Sequence, residues 1–523
     1  MPVTAENSDR IASRHVWPSM LLVAALLAGG CAIRPEPLTK PELDQQIQSD
    51  RQKMFSQEKL DHPLTLPEAI ARTMRFNLEQ RVKSLEEMQA NQQLTVTSFD
   101  MLPKLVTSAG YAGRSNHGAS TSMTLPAGTP STVPSTSQDR DRITEDLTLS
   151  WNILDLGVGY FTAHQEANRI LIARERQRKI AQQLVQDVRG RFWRAASAQL
   201  LQQDVKKSIA LVESALASAR QAEKEGVRAP LDALQFQQNL LEHLAQLEAV
   251  EMELGSAQVE LTAMINLPPG TPLQLALPRE AQLKVPTWTM PMERMEETAL
   301  FFNADLRESA LQTRIAMDET RKAVARLLPG ISFNLGRQYD SNSFLVDKAW
   351  SDAGAKVSFN LFNLLTAPSQ MSLADTGLEL AHARRLALRM AILAQIHIAN
   401  RQFEYTKNQF SRAQMRYDVS QRIHQQVVNR QKQDAASLLE LIDAQSKEIL
   451  NRLKLFLSLA EMHNALGRLH ATLGIDMDLG DVSRMDLPTL TERISIGMDR
   501  LTMDDAQTQQ KEPPPSPKPP AKK

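Results

Sequence analysis

The two halves of this 523-residue chain repeat one another at nearly constant offsets, and no other feature limits its fold so tightly. Asn77 in RFNLEQ lies 226 residues (303 − 77) before Asn303 in FFNADL, and the same offset carries Pro103 of DMLPKL onto Pro329 of RLLPGI. LTLSWNILDL and AKVSFNLFNL then place Ser150, Trp151 and Asn152 over Ser358, Phe359 and Asn360 at an offset of 208 (358 − 150). The difference of 18 residues (226 − 208) is extra loop in the first half. Further along, APLDALQFQQ from Ala229 matches ASLLELIDAQ from Ala436 at 207 (436 − 229). Two copies of one unit make the chain.

Each copy reads in the same order: a helix ending at the proline, a strand, a loop, a strand, a very long helix, a tip and a returning helix. The strands are expected near 105–114 with 143–153, and near 331–340 with 354–362. In KVSFNLF, Val357, Phe359 and Leu361 alternate with Lys356, Ser358 and Asn360, the period of a sheet with one apolar and one polar face. Four strands cannot close a barrel, which takes about eight, so further copies must supply the rest. Tyr111, Trp151, Phe333, Tyr339 and Phe359 flank the strands as an interfacial girdle would, with an ordinary sheet core as the other reading. Residues 112–142 are rich in Ser, Thr, Gly and Pro without periodicity, and read as an exposed loop.

The long helices, expected over about 155–220 and 366–432, would each extend ~100 Å at 1.5 Å per residue. Leu201, Val205, Ile209, Val212, Leu216 and Ala219 form a packing seam along the first. In the returning helix the seam runs through Leu240, Leu244, Leu247, Val250, Leu254, Ala257, Leu261 and Met264, with a second stripe at Leu231, Leu234 and Leu241. Two stripes imply two neighbours. Four shorter helices, near 66–101, 231–265, 292–327 and 438–473, are each about half a long one, so two stacked end to end match it.

Composition removes other classes. Sixty basic and sixty acidic residues balance, leaving no basic field for nucleic acid. After the first thirty residues no apolar run of about 18 occurs, so any membrane crossing belongs to strands. Arg10, Arg14 and His15, the apolar run Met20–Ala28 and the small residues Gly29 and Gly30 have the layout of a secretory signal. They precede Cys31, the single cysteine. That placement resembles a bacterial lipobox, with Ala28 where leucine is commonest, and makes Cys31 the expected lipidation site. Ala32 follows it, rather than the aspartate of an inner-membrane retention signal. The tail KEPPPSPKPPAKK is expected to be extended and disordered.

LTLPEAIARTMRFNLE, LSWNILDLG, GVRAPLDALQ and ASLLELIDAQ together resemble the TolC-like outer-membrane channel family over roughly 64–475. The resemblance implies a mainly α fold with a small β-barrel part: long antiparallel helices forming an α-barrel in a homotrimer, and four strands per protomer in a twelve-stranded barrel. It divides the chain into a signal peptide (1–30), a lipidated linker (31–63), a first repeat (64–270), an inter-repeat linker (271–290), a second repeat (291–476) and a C-terminal segment (477–523). It further implies an outer-membrane duct, anchored in outer-membrane lipid, that serves a periplasmic adaptor and an inner-membrane RND or ABC transporter in efflux or type I secretion.

By the same resemblance Glu440, Asp443 and Asp232 take the family's acidic gate positions, while Ala436 stands where some members carry a gate-locking arginine. In a trimer Glu440 and Asp443, three apart on one helical face, would form stacked carboxylate rings that favour cations; a solvated helix face is the other reading. The tips Gly226, Val227, Arg228, Ala229 and Pro230, and Asp434, Ala435, Ala436 and Ser437, are the expected adaptor contacts. Gly226 and Pro230 are equally what a plain turn into a helix requires.

No GxSxG, Walker A, HExxH or paired-cysteine motif occurs, and no cofactor or metal site is expected. His463 and His470 read as ordinary helix-face residues. The alternative to a channel is a periplasm-spanning coiled-coil lipoprotein without a pore.

Overall fold

A computed structural model describes residues 36–55, 60–126, 128–225, 229–277, 285–286, 288–433, 435–477, 482 and 485–502. It divides into two units, 1–58 and 59–523. The first contains helix α1 (Lys40–Met54), which Pro41 opens and which has no buried side chain. Cys31, the signal segment and the Pro/Lys-rich tail lie outside the described residues.

In the second unit α2 (Leu66–Phe76) and α3 (Leu78–Phe99) stand where one helix was expected over 66–101. The break is Asn77, whose extended backbone (φ −65°, ψ 130°) ends α2 while its side chain accepts the N–H groups of Glu79 and Gln80 to begin α3. The second copy breaks the same way: α6 (Met292–Phe302) and α7 (Ala304–Arg326) meet at Asn303, which caps Leu306 N–H. Asparagine at a cap is worth about 1 kcal/mol over alanine.

The sheet comprises β1 (Lys104–Gly113), β6 (Asp141–Asn152), β7 (Gly330–Asp340) and β8 (Ala349–Ser358), antiparallel throughout in that spatial order. Between β1 and β6 two short ribbons pair β2 (Ala119–Ser120) with β5 (Ser135–Thr136), and β3 (Met123–Thr124) with β4 (Thr129–Pro130). The expected loop is therefore an extended hairpin. β8 ends at Ser358, earlier than expected, because Asn360 turns the chain and accepts Phe362 N–H at 3.1 Å. Asn152, its counterpart, accepts Leu154 N–H at 2.9 Å.

From those two asparagines run α4 (Ile153–Lys224, 72 residues) and α8 (Phe362–Gln431, 70 residues). Each is somewhat over 100 Å long at 1.5 Å per residue. The returning helices are α5 (Pro230–Met264) and α9 (Leu438–Leu473), and α10 (Leu487–Thr502) follows.

The expected seam on α4 is buried except at Ile209, which is partly covered, and it packs against Leu240, Leu247, Val250 and Leu254 of α5 and Ile442 and Ile449 of α9. The second stripe of α5 behaves differently: Leu231, Leu234 and Leu241 stay exposed. A larger core gathers Ile70 and Met74 of α2, Leu184, Val188 and Phe192 of α4, Phe403 of α8, Leu459 and Met462 of α9, and Leu490 of α10.

Where the repeats join, Arg178 donates to the carbonyls of Phe302 (2.9 Å) and Gly474 (2.5 Å) and pairs with Glu175 and Asp476. Gly474 closes α9 at φ 72°, and a Cβ there would overlap the Phe302 carbonyl.

Candidate functional site

The two central strands are inverted relative to a soluble sheet, and β1 and β8 are exposed on both faces. Along β6, Ile143, Leu147, Leu149 and Trp151 are exposed, whereas Arg142, Thr144, Asp146, Thr148 and Ser150 on the opposite face are half-covered. On β7, Phe333, Leu335 and Tyr339 are exposed, and Ser332, Asn334, Gly336, Gln338 and Asp340 are covered or buried. The registers Leu105↔Leu149↔Leu335↔Ala353 and Trp151↔Phe333↔Ala355 carry apolar side chains across this face at the helix end, while Glu145 and Arg337 share it further along. A sheet in water hides such a face; a sheet in lipid presents it.

Aromatics sit at two levels on that face. Trp151 and Phe333 are paired at the helix end, while Tyr111 opposes Ile143 and Tyr339 opposes Glu145 near the other end. Phe333 and Tyr339 are six residues apart, ~20 Å along a strand, or ~15 Å along the axis of a barrel whose strands tilt by about 40°. Phe359 lies beyond β8 and is not part of it. No helix among the described residues is long and apolar enough to cross a membrane.

At the far ends of α4 and α8 are the tips. Gly226, Val227, Arg228 and Asp434 lie outside the described residues. Pro230 is the first residue of α5 with Ala229 as its N-cap, and Asp232 is exposed in the first turn, where a carboxylate suits the helix N-terminus. At the second tip Ser437 and Glu440 form a reciprocal capping box: Glu440 N–H donates to Ser437 Oγ at 3.2 Å, and Ser437 N–H to Glu440 Oε2 at 3.3 Å. Ala436 is half-exposed between Ala435 and this cap.

Sequence reasoning missed Arg430 in the last turn of α8. Its guanidinium donates to the Ala435 carbonyl at 2.8 Å and lies 3.9 Å from Glu440. Its place in the closing turn of a long helix, where cations are favoured, was the available signal.

Asp443 accepts from Lys447 at 2.7 Å and faces His243 of α5 at 3.8 Å. Glu440 and Asp443 do share a face, but each has a cation beside it, which weakens the bare carboxylate field expected from sequence. These pairs are exposed, so each adds at most about 1 kcal/mol. Deeper links tie α9 to its neighbours: His424 of α8 to Glu448, Arg452 to Asp204 of α4 at 3.3 Å, and Gln445 to Ser208 of α4 at 2.8 Å.

Between tips and sheet, His463 and His470 are not surface residues. His463 stacks on Trp193 (ring centroids 5.6 Å apart) and His470 packs on Trp288 (5.1 Å). Burial, aided by the charge of Arg189, lowers their pKa values to about 4 and about 3, so both are neutral near pH 7. No group of three or more His, Cys, Asp or Glu side chains able to hold a metal occurs among the described residues.

No family model and no curated protein matches the sequence. The fold does match solved structures. The CmeC outer-membrane channel of Campylobacter jejuni superposes with a TM-score of 0.63 at 13% identity, over 83% of this chain and 89% of that one. The open-state MtrE outer-membrane channel of Neisseria gonorrhoeae gives 0.60 at 15% identity, over 79% and 89%. The outer-membrane protein VceC of Vibrio cholerae gives 0.56 at 13%, over 79% and 97%. The fold is that of the TolC-like outer-membrane channels.

Proposed function

We propose that three copies of this chain form an outer-membrane exit duct, a passive conduit for an efflux pump or type I secretion system. The observation that carries this reading is the sheet whose apolar face is its exposed one, continuous with helices over 100 Å long. Three copies give twelve strands, sufficient to close a barrel. The apolar face then meets lipid and the polar face lines the lumen. A non-pore coiled coil has no use for such a sheet.

In this reading Cys31 carries a lipid in the outer leaflet's partner monolayer, and the helix tips point into the periplasm. Glu440, Asp443 and Asp232 narrow the entrance, and Arg430 and Lys447 moderate its charge. Opening requires the tips to separate, which exposed ion pairs of about 1 kcal/mol or less permit at small cost. The 226–230 and 434–437 turns are the docking points for a periplasmic adaptor, itself coupled to an RND or ABC transporter that supplies the energy.

The test is single-channel conductance of the purified mature protein in planar bilayers, wild type against Glu440→Ala with Asp443→Ala. Small cation-selective currents that grow and lose selectivity in the double variant support duct and gate together. Well-folded trimers that insert without conducting in either form reject the duct.

A further inference from the structure

Among the described residues, charged side chains that the fold buries are paired, with one exception. The buried cation Arg72 is held by Glu68 at 3.0 Å, and Lys322 by Glu319 at 2.8 Å. The buried carboxylates Glu166, Glu175, Asp318 and Asp340 each have a cation within reach. Arg189, 5% exposed at the middle of α4, has no ion pair among the described residues, and its Nε–H is buried without a partner. Burial lowers its pKa to about 10, which leaves it charged at neutral pH. An unpaired buried cation is among the costliest arrangements a fold can keep.

Donors outnumber acceptors around it, since the neutral His470 ring supplies one of each. Arg189 Nε–H, Trp193 Nε1–H and Trp288 Nε1–H are buried and unpartnered, as are both ring nitrogens of His470. Asn464, packed against Gly190, has a buried unpartnered oxygen, but one amide oxygen cannot serve them all. We propose that Arg189, with the Trp288 indole N–H and the His470 imidazole, holds a small monovalent inorganic anion of the halide class at the seam of α4, α9 and the segment preceding α6.

The charge count selects the ligand. Because both histidines are neutral, the site carries a single positive charge, which one monovalent anion cancels and a sulfate or phosphate would overbalance. The repeat supplies an internal control. At the offset of 208, Arg189 corresponds to His397, and His397 is satisfied by Glu296 of α6 at 2.8 Å. At the offset of 226, Glu296 corresponds to Ile70 of α2. The second copy carries its own hydrogen-bonding carboxylate; the first has an isoleucine in that place, and in the proposed site an anion from solution takes that role.

The test uses the full mature protein and does not read conductance, so its outcome is separate from that of the proposed duct. Melting is followed in sodium chloride or bromide and in sodium gluconate at equal ionic strength, and crystals are soaked in bromide. The expected result is a saturating rise of the melting temperature in halide over gluconate, its loss in Arg189→Met, a several-fold higher halide requirement in Trp288→Phe, and an anomalous bromide peak against Arg189 Nε. Should Arg189→Met fail to assemble, Trp288→Phe decides, because it keeps an aromatic ring against His470 and removes the N–H. Equal melting in halide and gluconate, an unchanged halide response in the variants, a chain carboxylate seated on Arg189, or a bromide peak without any response in solution (an adventitious ion only) would each overturn the proposal.

Discussion

The long helices α4 and α8 are near twins in length and opposites in environment. α4 packs against α3, α5, α7 and α9, and is buried along much of its length. α8 has α6, α7 and α9 on one side only, and leaves Leu386, Met390, Ile398, Tyr405, Met415, Val419 and Ile423 exposed. Many of these recur at spacings of four or seven, as a helix stripe awaiting a neighbour does. The sheet has the same asymmetry, with β6 and β7 central and β1 and β8 at open edges. One repeated unit thus has two environments according to its place: the first copy's long helix builds the interior of the protomer, and the second's leaves an apolar stripe exposed, which in the proposed trimer meets another protomer.

The comparison breaks most completely if α8 is not an interface. Met390→Asp with Ile398→Asp should abolish SDS-resistant oligomers while leaving the helical circular dichroism of the chain intact; persistence of the oligomer would place the contact elsewhere. Next in size is a cavity in the interior helix. Phe192→Ala, at a residue 2% exposed on α4, should cost ~3–5 kcal/mol. Met390→Ala on α8, 69% exposed, should cost far less in the unassembled chain, and denaturant unfolding of the two variants measures the contrast directly.

A third prediction concerns pH. His470 has a folded pKa lowered to about 3 from 6.5, so between those values the unfolded chain binds a proton that the folded chain refuses. Stability therefore falls as pH drops from about 6.5 toward 3, by roughly 4–5 kcal/mol for this one group. In gluconate buffer His470→Leu should flatten that part of the stability–pH curve. The smallest effect belongs to Lys447→Ala at the tip. Freeing Asp443 should raise cation preference in bilayer recordings and change stability by less than about 1 kcal/mol.

Much of this was legible in the sequence because periodicity records faces. The strands fall within a few residues of expectation except at β8, and the seam Leu201–Ala219 is buried nearly as its spacing implies. What escaped was governed by single side chains. Asn77 and Asn303 sit inside continuous helical patterns, and only their caps reveal the breaks, although Asn followed by acidic residues is an N-terminal signature. The burial of Arg189 and His470 leaves no periodic trace, since a lone polar residue reads the same on a covered face as on an open one. The cations that temper Glu440 and Asp443 come partly from another helix, beyond the reach of local spacing.

The open edges of β1 and β8 have a genetic consequence. If three copies close one barrel, each protomer must satisfy a neighbour on both sides, and a copy with one damaged edge still joins through the other. Where sound and damaged copies are made in equal numbers, only about one trimer in eight is free of a defective member. An edge-strand allele should therefore act dominantly, disabling sound copies by incorporation, while an allele that prevents the protomer from folding should be recessive.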